Sequence, residues 1–176
     1  MSTLRVDSIA NTAGVTNNRI LQVKYSHSIT PVSQSYTAGT ALEISGLSVN
    51  ITPTSSNSII LLQSRWNGEL STYGLAYNSV FYFRRDSTRL GAESFGNRLG
   101  GMSTPAINYS NEGSSTSENA TIMWVDSPAT TSQITYSLNF EGYTSGTVYT
   151  NRTVTDTDNN QYERTISMIM AMEIAQ

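Results

Sequence analysis

The sequence is poor in the residue types that carry most protein chemistry. It contains no cysteine, one histidine (His27) and one lysine (Lys24), and only 13% of its 176 residues are charged, about half the usual share. The lack of cysteine excludes a disulfide framework, a thiolate zinc site and a cysteine nucleophile, and a single histidine excludes a multi-histidine metal site. We therefore expect no cofactor.

Positive charge and long apolar runs are also scarce. A net charge of −3 and a pI near 5.0 argue against binding nucleic acid by neutralising its phosphates. No run reaches about 18 apolar residues, so no membrane insertion is expected. Residues 1–7 lack a charged segment followed by an apolar one, so we expect no secretion signal.

Short polar residues fill the chain instead: Ser, Thr and Asn supply 26, 23 and 15 positions. The apolar residues mostly recur at a period of two, which predicts strands. In the clearest case, one face of the last strand collects five apolar residues, namely Ile166, Met168, Met170, Met172 and Ile174. The three methionines predict either core packing or a subunit seam.

About eight such strands, separated by turn-rich segments and with no clear helix, predict an all-β fold. We expect an antiparallel β-sandwich or jelly roll over residues 20–176, with a long loop near residues 95–118. Residues 1–19 hold little core material and predict an extended docking arm. The arm residues expected to make assembly contacts are Leu4, Arg5, Val6, Asp7 and Ile9.

No set of residues combines an acid, a base and an oxyanion donor at a recognisable spacing, so we expect no enzyme. His27 has no Gly-x-Ser-x-Gly nucleophile elbow to serve. A glycan-cleaving enzyme is a remote alternative, and Asp126 and Glu141 are the acids that would have to pair. Residues 156–160 have the odd acid spacing of a calcium loop but lack its glycine, which favours a polar hairpin loop and leaves a weakly bound ion open.

Several aromatic and cationic residues lie in or near segments that we predict as surface loops. Aromatic rings can stack on sugar rings, although core or interface packing is the alternative for each. The candidates for contact with a host-surface glycan are Trp66, Tyr73, Tyr77, Arg98 and Tyr109.

Three parts of the sequence carry a resemblance to a known group of proteins. They are residues 1–9 (MSTLRVDSI), residues 46–60 (GLSVNITPTSSNSII), and the C-terminal stretches 126–131 (DSPATT), 148–152 (VYTNR) and 172–175 (MEIA). They resemble tail-fibre-like virion proteins of aquatic, cyanophage-type bacteriophages, and residues 68–118 lie outside the resemblance. It implies a jelly-roll or sandwich domain, often trimeric, that is assembled in the host cytoplasm and displayed on a virion.

Two structural tasks fit this resemblance. The first is a short tail fibre or tail-tip module that attaches to the host through loops at residues 68–78 and 95–118. The second is a capsid decoration (cement) protein whose arm and sandwich stabilise the head. We expect the chain to bind itself, as a homotrimer or a dimer, and to bind a tail, baseplate or major capsid protein through residues 1–19.

Overall fold

The structure is a computed structural model, and it describes residues 19–91, 95–107 and 115–176. These ranges contain ten strands and one five-residue helix, so the predicted all-β class is confirmed. The strands are β1 (Ile20–Ser28), β2 (Val32–Tyr36), β3 (Leu42–Ile51), β4 (Ile59–Leu70), β5 (Ser79–Arg85), β6 (Thr88–Arg89), β7 (Glu118–Asp126), β8 (Ile134–Gly142), β9 (Gly146–Thr150) and β10 (Ser167–Ile174), and the helix is α1 (Tyr73–Tyr77).

The strands form two antiparallel sheets that pack as a sandwich. The six-stranded sheet has the order β1-β10-β4-β9-β2, with β7 on the other edge of β4, and the four-stranded sheet has the order β3-β8-β5-β6. Without the short β2–β9 pair, the remaining eight strands taken in chain order give sheets 1-8-3-6 and 2-7-4-5. This is the strand order of a jelly roll built from two Greek keys.

The core between the sheets is rich in aromatic rings. Trp66 lies 4.9 Å from Phe81, and Phe81 lies 5.1 Å from Phe140, measured between ring centroids, and all three side chains are fully buried. The indole Nε1 of Trp66 donates a hydrogen bond to Thr150 Oγ1 at 2.9 Å. The prediction that Trp66 contacts a ligand at the surface is therefore wrong, because β4 continues to Leu70 and places Trp66 on its core face.

The last strand, β10, places its methionines on the outer face of the six-stranded sheet. Its core side is formed by Ile169, Ala171 and Glu173, which are all completely buried. Met168, Met170, Met172 and Ile174 share one face of β10, as predicted, and Ile166 precedes the strand, but a core position for the methionines is wrong. The other face carries Ile169 and Ala171 beside Ser167 and Glu173, so the alternation alone does not show which face is buried. The subunit seam stays a prediction.

Some predictions fall on residues outside the described ranges. These are the arm residues Leu4, Arg5, Val6, Asp7 and Ile9, and Tyr109 in the predicted long loop. In the described part of that loop, Met102 and Ser103 exchange backbone hydrogen bonds with Phe81, so the loop follows the edge of β5. The next strand begins at Glu118.

Candidate functional site

An open pocket lies where helix α1 meets the start of β5. Its volume is about 380 Å³, which is within the range of about 300–1,000 Å³ typical of small-molecule sites. Four parts of the chain form it: the end of α1, the start of β5, the loop after residue 95, and the turn between β8 and β9. The lining residues used below are Tyr77, Asn78, Asn97, Arg98 and Tyr143.

Helix α1 presents two tyrosines to solvent. Thr72 caps the helix by accepting a hydrogen bond from the backbone N of Leu75. Leu75 and Ala76 are buried and anchor the helix, which leaves Tyr73 and Tyr77 on its exposed side. Because these two residues are four apart, their rings meet, with centroids 5.8 Å apart and planes at 16°. The pair forms an aromatic platform at the edge of the pocket.

Tyr143 forms another aromatic wall of the pocket. Its side chain is 73% exposed, and its backbone N donates a hydrogen bond to the carbonyl of Asn78 at 2.8 Å. This bond fixes the β8–β9 turn against the end of α1. The sequence prediction missed Tyr143, although the signal was present: an aromatic residue stands between Gly142 and Gly146, in a turn that offers it no core to enter.

Arg98 brings positive charge to the pocket. It is exposed, and its Nη1 donates to the carbonyl of Phe95 at 3.3 Å. The ion pairs found among the described residues engage other arginines and leave Arg98 out. A guanidinium beside exposed aromatic rings and the amides of Asn78 and Asn97 can hold a polar ring that carries an acidic group.

The structure thus brings Tyr73, Tyr77 and Arg98 to one end of the sandwich, as the sequence prediction requires for a binding surface. Trp66 is not among them, because it lies in the core, and Tyr109 lies outside the described residues. Tyr143 joins the group only because the β8–β9 turn folds back onto α1.

The two acids considered for glycan cleavage do not share a groove. Asp126 accepts hydrogen bonds from Arg85 and from the hydroxyl of Tyr136, the latter at 2.6 Å. Glu141 accepts one from Arg89 at 2.7 Å. Tyr136 and Glu141 are five residues apart on β8, and this odd spacing directs their side chains to opposite faces of the sheet, with Tyr136 in the core. The two carboxylates therefore cannot flank one scissile bond, as a glycosidase pair must. The pairing of Asp126 with Glu141 is therefore wrong.

The acidic loop at residues 156–160 forms ion pairs with arginines. Both carboxylate oxygens of Asp156 accept hydrogen bonds from Arg164 at 2.6 Å, and Arg152 lies 3.5 Å away. The carboxylate that would lead a calcium loop is therefore neutralised by guanidinium groups. In the ranges the structure covers, no group of three or more His, Asp or Glu side chains is placed to hold a metal ion.

No family model, curated protein or solved structure matches this chain. Among the described residues, no helix has the length and apolar character needed to cross a membrane.

Proposed function

We propose that this chain is a structural protein of a bacteriophage particle, a short tail fibre or tail-tip module that attaches to the host by holding a surface saccharide in the pocket. The observation that carries the proposal is the pocket itself, in which Tyr77, Tyr143 and Arg98 meet at one end of a rigid sandwich. The placement on a virion is supported by the resemblance at residues 1–9 and 46–60. A sandwich without disulfides also suits folding in a reducing cytoplasm.

The residues of the pocket suggest how the saccharide is held. The exposed rings of Tyr77 and Tyr143 stack against the apolar C–H face of a sugar, and Arg98 pairs with an acidic substituent such as a carboxylate. An open pocket of this kind binds one sugar weakly. Many copies on one particle raise the overall affinity, because each bound copy holds the next near its own ligand.

The test is binding of purified host-envelope polysaccharide by wild type and by two substitutions of one residue. Tyr143→Ala removes the ring and is expected to weaken binding about tenfold, which corresponds to about 1.4 kcal/mol. Tyr143→Phe keeps the ring and removes only the hydroxyl, so it is expected to bind like wild type. The matched control is Tyr162→Ala, which removes a tyrosine outside the pocket.

Equal binding by wild type, Tyr143→Ala and Arg98→Ala would contradict the pocket as the attachment site. The same incubation also addresses catalysis. We propose that the protein binds without cleaving, so no new reducing ends should appear in the polysaccharide. New reducing ends would support the glycan-cleaving alternative, with carboxylates other than Asp126 and Glu141 as the catalytic pair.

Capsid decoration is the second candidate function. The observation in its favour is the apolar outer face of the six-stranded sheet, which a capsid neighbour could cover. A quantitative gel of purified particles separates the two, because a decoration protein is present in hundreds of copies and a tail module in a few tens or fewer. Hundreds of copies per particle would contradict the tail assignment.

A further inference from the structure

The outer face of the six-stranded sheet is apolar across four neighbouring strands. Residues directly opposite each other in antiparallel strands point to the same side of the sheet. The register places Tyr25 of β1 opposite Met170 of β10, Met170 opposite Gln63 of β4, and Gln63 opposite Met123 of β7. These four side chains form one row on the outer face.

A second row lies beside the first. It runs from Val23 through Met172 and Leu61 to Val125. Four side chains at the ends of the two rows remain largely uncovered, with exposed fractions of 67% for Tyr25, 59% for Met123, 52% for Val125 and 43% for Val23. We call these two rows the outer sheet face.

Charge is almost absent from the outer sheet face. In the part of the chain that the structure describes, Arg65 lies in the next row, opposite Met168 and Thr121, and His27 lies in that same row, on the other side of Met168. Lys24 is exposed between Val23 and Tyr25 on the edge strand β1, but it is paired with Ala171 and so belongs to the opposite side of the sheet. The Nε of Arg65 donates to Asn67 Oδ1 at 3.1 Å, so this charge lies toward the margin. Apart from the uncharged Gln63, the two rows are apolar, and the charged groups lie at their margin, which is the composition of a protein interface.

The exposed area of this surface approaches one side of a standard interface. The exposed fractions of Tyr25, Met123, Val125, Val23 and the adjoining Ile20 and Met168 correspond to roughly 600 Å² of surface, at the upper end of the 300–600 Å² or so of the largest apolar patch on a typical monomer, and a standard interface takes about 800 Å² per partner. The half-buried Met170, Met172 and Leu61 add to it.

We infer that the outer sheet face packs against the same face of a second copy of this chain. Every copy exposes the face as soon as it folds, and the partner present at that moment in equal amount is another copy. An uncharged face meets itself without repulsion, and flexible methionine side chains adapt to each other across the contact. Two sheets stacking face to face about 10 Å apart is an ordinary packing mode.

This inference goes beyond the proposed function and uses different residues. The pocket borders α1 and β5, whereas the outer sheet face belongs to β1, β10, β4 and β7. The two can therefore fail separately: a variant can lose saccharide and stay oligomeric, or lose its oligomer and keep one binding pocket per chain.

The test is the mass of the full chain in solution, measured by sedimentation velocity over micromolar concentrations. Wild type is expected to be an oligomer. Tyr25→Glu on β1 and Met123→Glu on β7 each place a charge at an exposed position, so each variant is expected to fold. Each is expected to raise the dissociation constant of the oligomer at least tenfold. Tyr143→Glu is the matched control, because it adds the same charge at another exposed tyrosine and should leave the oligomer intact.

Three results would overturn the inference. A wild-type chain that is monomeric throughout this range has no self-interface. An oligomer that both Tyr25→Glu and Met123→Glu leave unchanged is held by another surface. A monomeric chain that becomes oligomeric only when residues 1–18 are removed has its outer sheet face covered by its own N-terminal segment. Circular dichroism and thermal unfolding confirm that each variant is folded.

Discussion

At the scale of single residues, Glu173 is a buried carboxylate held by hydrogen bonds. Its Oε1 accepts from the backbone N and the hydroxyl of Thr54, at 2.7 and 2.8 Å, and its Oε2 accepts from Gln22 at 2.6 Å. Burial works to raise the pKa of Glu173, but the hydrogen bonds, led by the one from Gln22, outweigh it and bring the pKa below its ordinary value. The ionised side chain therefore stabilises the fold.

The consequence is a loss of stability in acid. Because the folded pKa of Glu173 lies below its unfolded value of about 4.3, its contribution is present above that pH and is lost as the pH falls through the folded value. We expect Glu173→Gln to lower the free energy of unfolding at pH 7 by about 1–3 kcal/mol. Urea unfolding at pH 7, 5, 4 and 3 measures the free energy of unfolding. The difference in this free energy between wild type and variant should shrink to nearly zero in acid.

Glu43→Gln is the matched control for Glu173→Gln, because Glu43 is exposed. This change should leave the free energy of unfolding nearly unaltered at every pH. A gap between wild type and Glu173→Gln that stays constant down to pH 3 would contradict the role assigned to the ionised carboxylate.

A second buried group at the residue scale is the hydroxyl of Tyr136. Burial first, and then its hydrogen bond to Asp126, raise the pKa of Tyr136 above its ordinary value, so the hydroxyl stays protonated and donates. Tyr136→Phe removes the donor and leaves Asp126 with Arg85. We expect a loss of about 1–3 kcal/mol in urea unfolding at pH 7. Tyr143→Phe, at an exposed tyrosine, should change stability little, and an equal loss in both variants would argue against the buried bond.

These residue-level partnerships could not be read from the sequence. Gln22 and Glu173 are 151 positions apart, and Tyr136 and Asp126 meet only because β7 and β8 lie in facing sheets. In β10 the alternation puts Glu173 on the face opposite the methionines and does not show that this face is buried. Glu173 is buried because Thr54 and Gln22 supply donors, which a pattern of apolar and polar letters does not encode.

At the scale of elements, β4 runs from Ile59 to Leu70, well beyond its apolar start at residues 59–62. The predicted surface loop at residues 68–78 is therefore wrong at its beginning, because the strand continues through Gly68 to Leu70. Gly68 pairs with Glu118 on one edge and with Thr150 on the other. A side chain there has no room, since a Cβ would lie 2.8 Å from Trp66 Cζ2 and would collide with the carbonyl of Tyr149. Residue 68 must be glycine because the backbone of β9 approaches it too closely to leave room for a side chain.

Gly68→Ala is therefore expected to be strongly destabilising. The added methyl group must displace β9 or the ring of Trp66, and such overpacking typically costs about 1–3 kcal/mol, or more where backbone must move. The melting temperature and urea midpoint measure the loss. The control is Gly74→Ala in α1, where the nearest atom to the new Cβ is Thr144 Oγ1 at 3.2 Å. A Gly68→Ala protein as stable as Gly74→Ala would show that β9 moves to accommodate the new methyl group without loss of stability.

Periodicity predicted the existence of most strands but not the pocket. The helix α1 has five residues, too few to show a helical period, and its Tyr73 and Tyr77 appear in the sequence as loop residues. The pocket then needs Arg98 from one loop and Tyr143 from another. Only the jelly-roll topology, which places α1 beside the β8–β9 turn, brings these side chains together.

At the scale of the whole molecule, the scarcity of charged residues is related to the surface that the sandwich exposes. The chain has 13% charged residues, and arginines take part in local pairs, such as Arg85 with Asp126 and Arg89 with Glu141. The outer sheet face is left almost uncharged, which suits a surface that packs against another copy. The composition favoured a sheet protein that packs against neighbouring chains. Which face of the sheet makes that contact could be inferred only from the strand register.

The described core of the jelly roll is formed by residues that follow the predicted docking arm. These buried hydrophobic residues run from Tyr36 to Ala171. The first strand, β1, starts at Ile20, and just before it the carbonyl of Arg19 accepts a hydrogen bond from the backbone N of Ala175 at 2.9 Å. We therefore expect a chain lacking Met1 to Asn18 to keep its melting temperature, its oligomeric mass and its saccharide binding. Because residues 1–19 are proposed as the docking arm, we also expect it to be missing from assembled particles.

The measurement is a gel of particles produced by a phage that carries the truncated gene, alongside the melting temperature of the purified protein. A matched change is Leu4→Asp together with Val6→Asp in the full-length chain, which alters the proposed contacts without shortening the segment. Both variants should fold and fail to join the particle, because we expect Leu4 and Val6 to be buried in the docking contact, where an aspartate without a partner is unfavourable. Normal incorporation of the truncated chain would show that the sandwich alone docks on the virion.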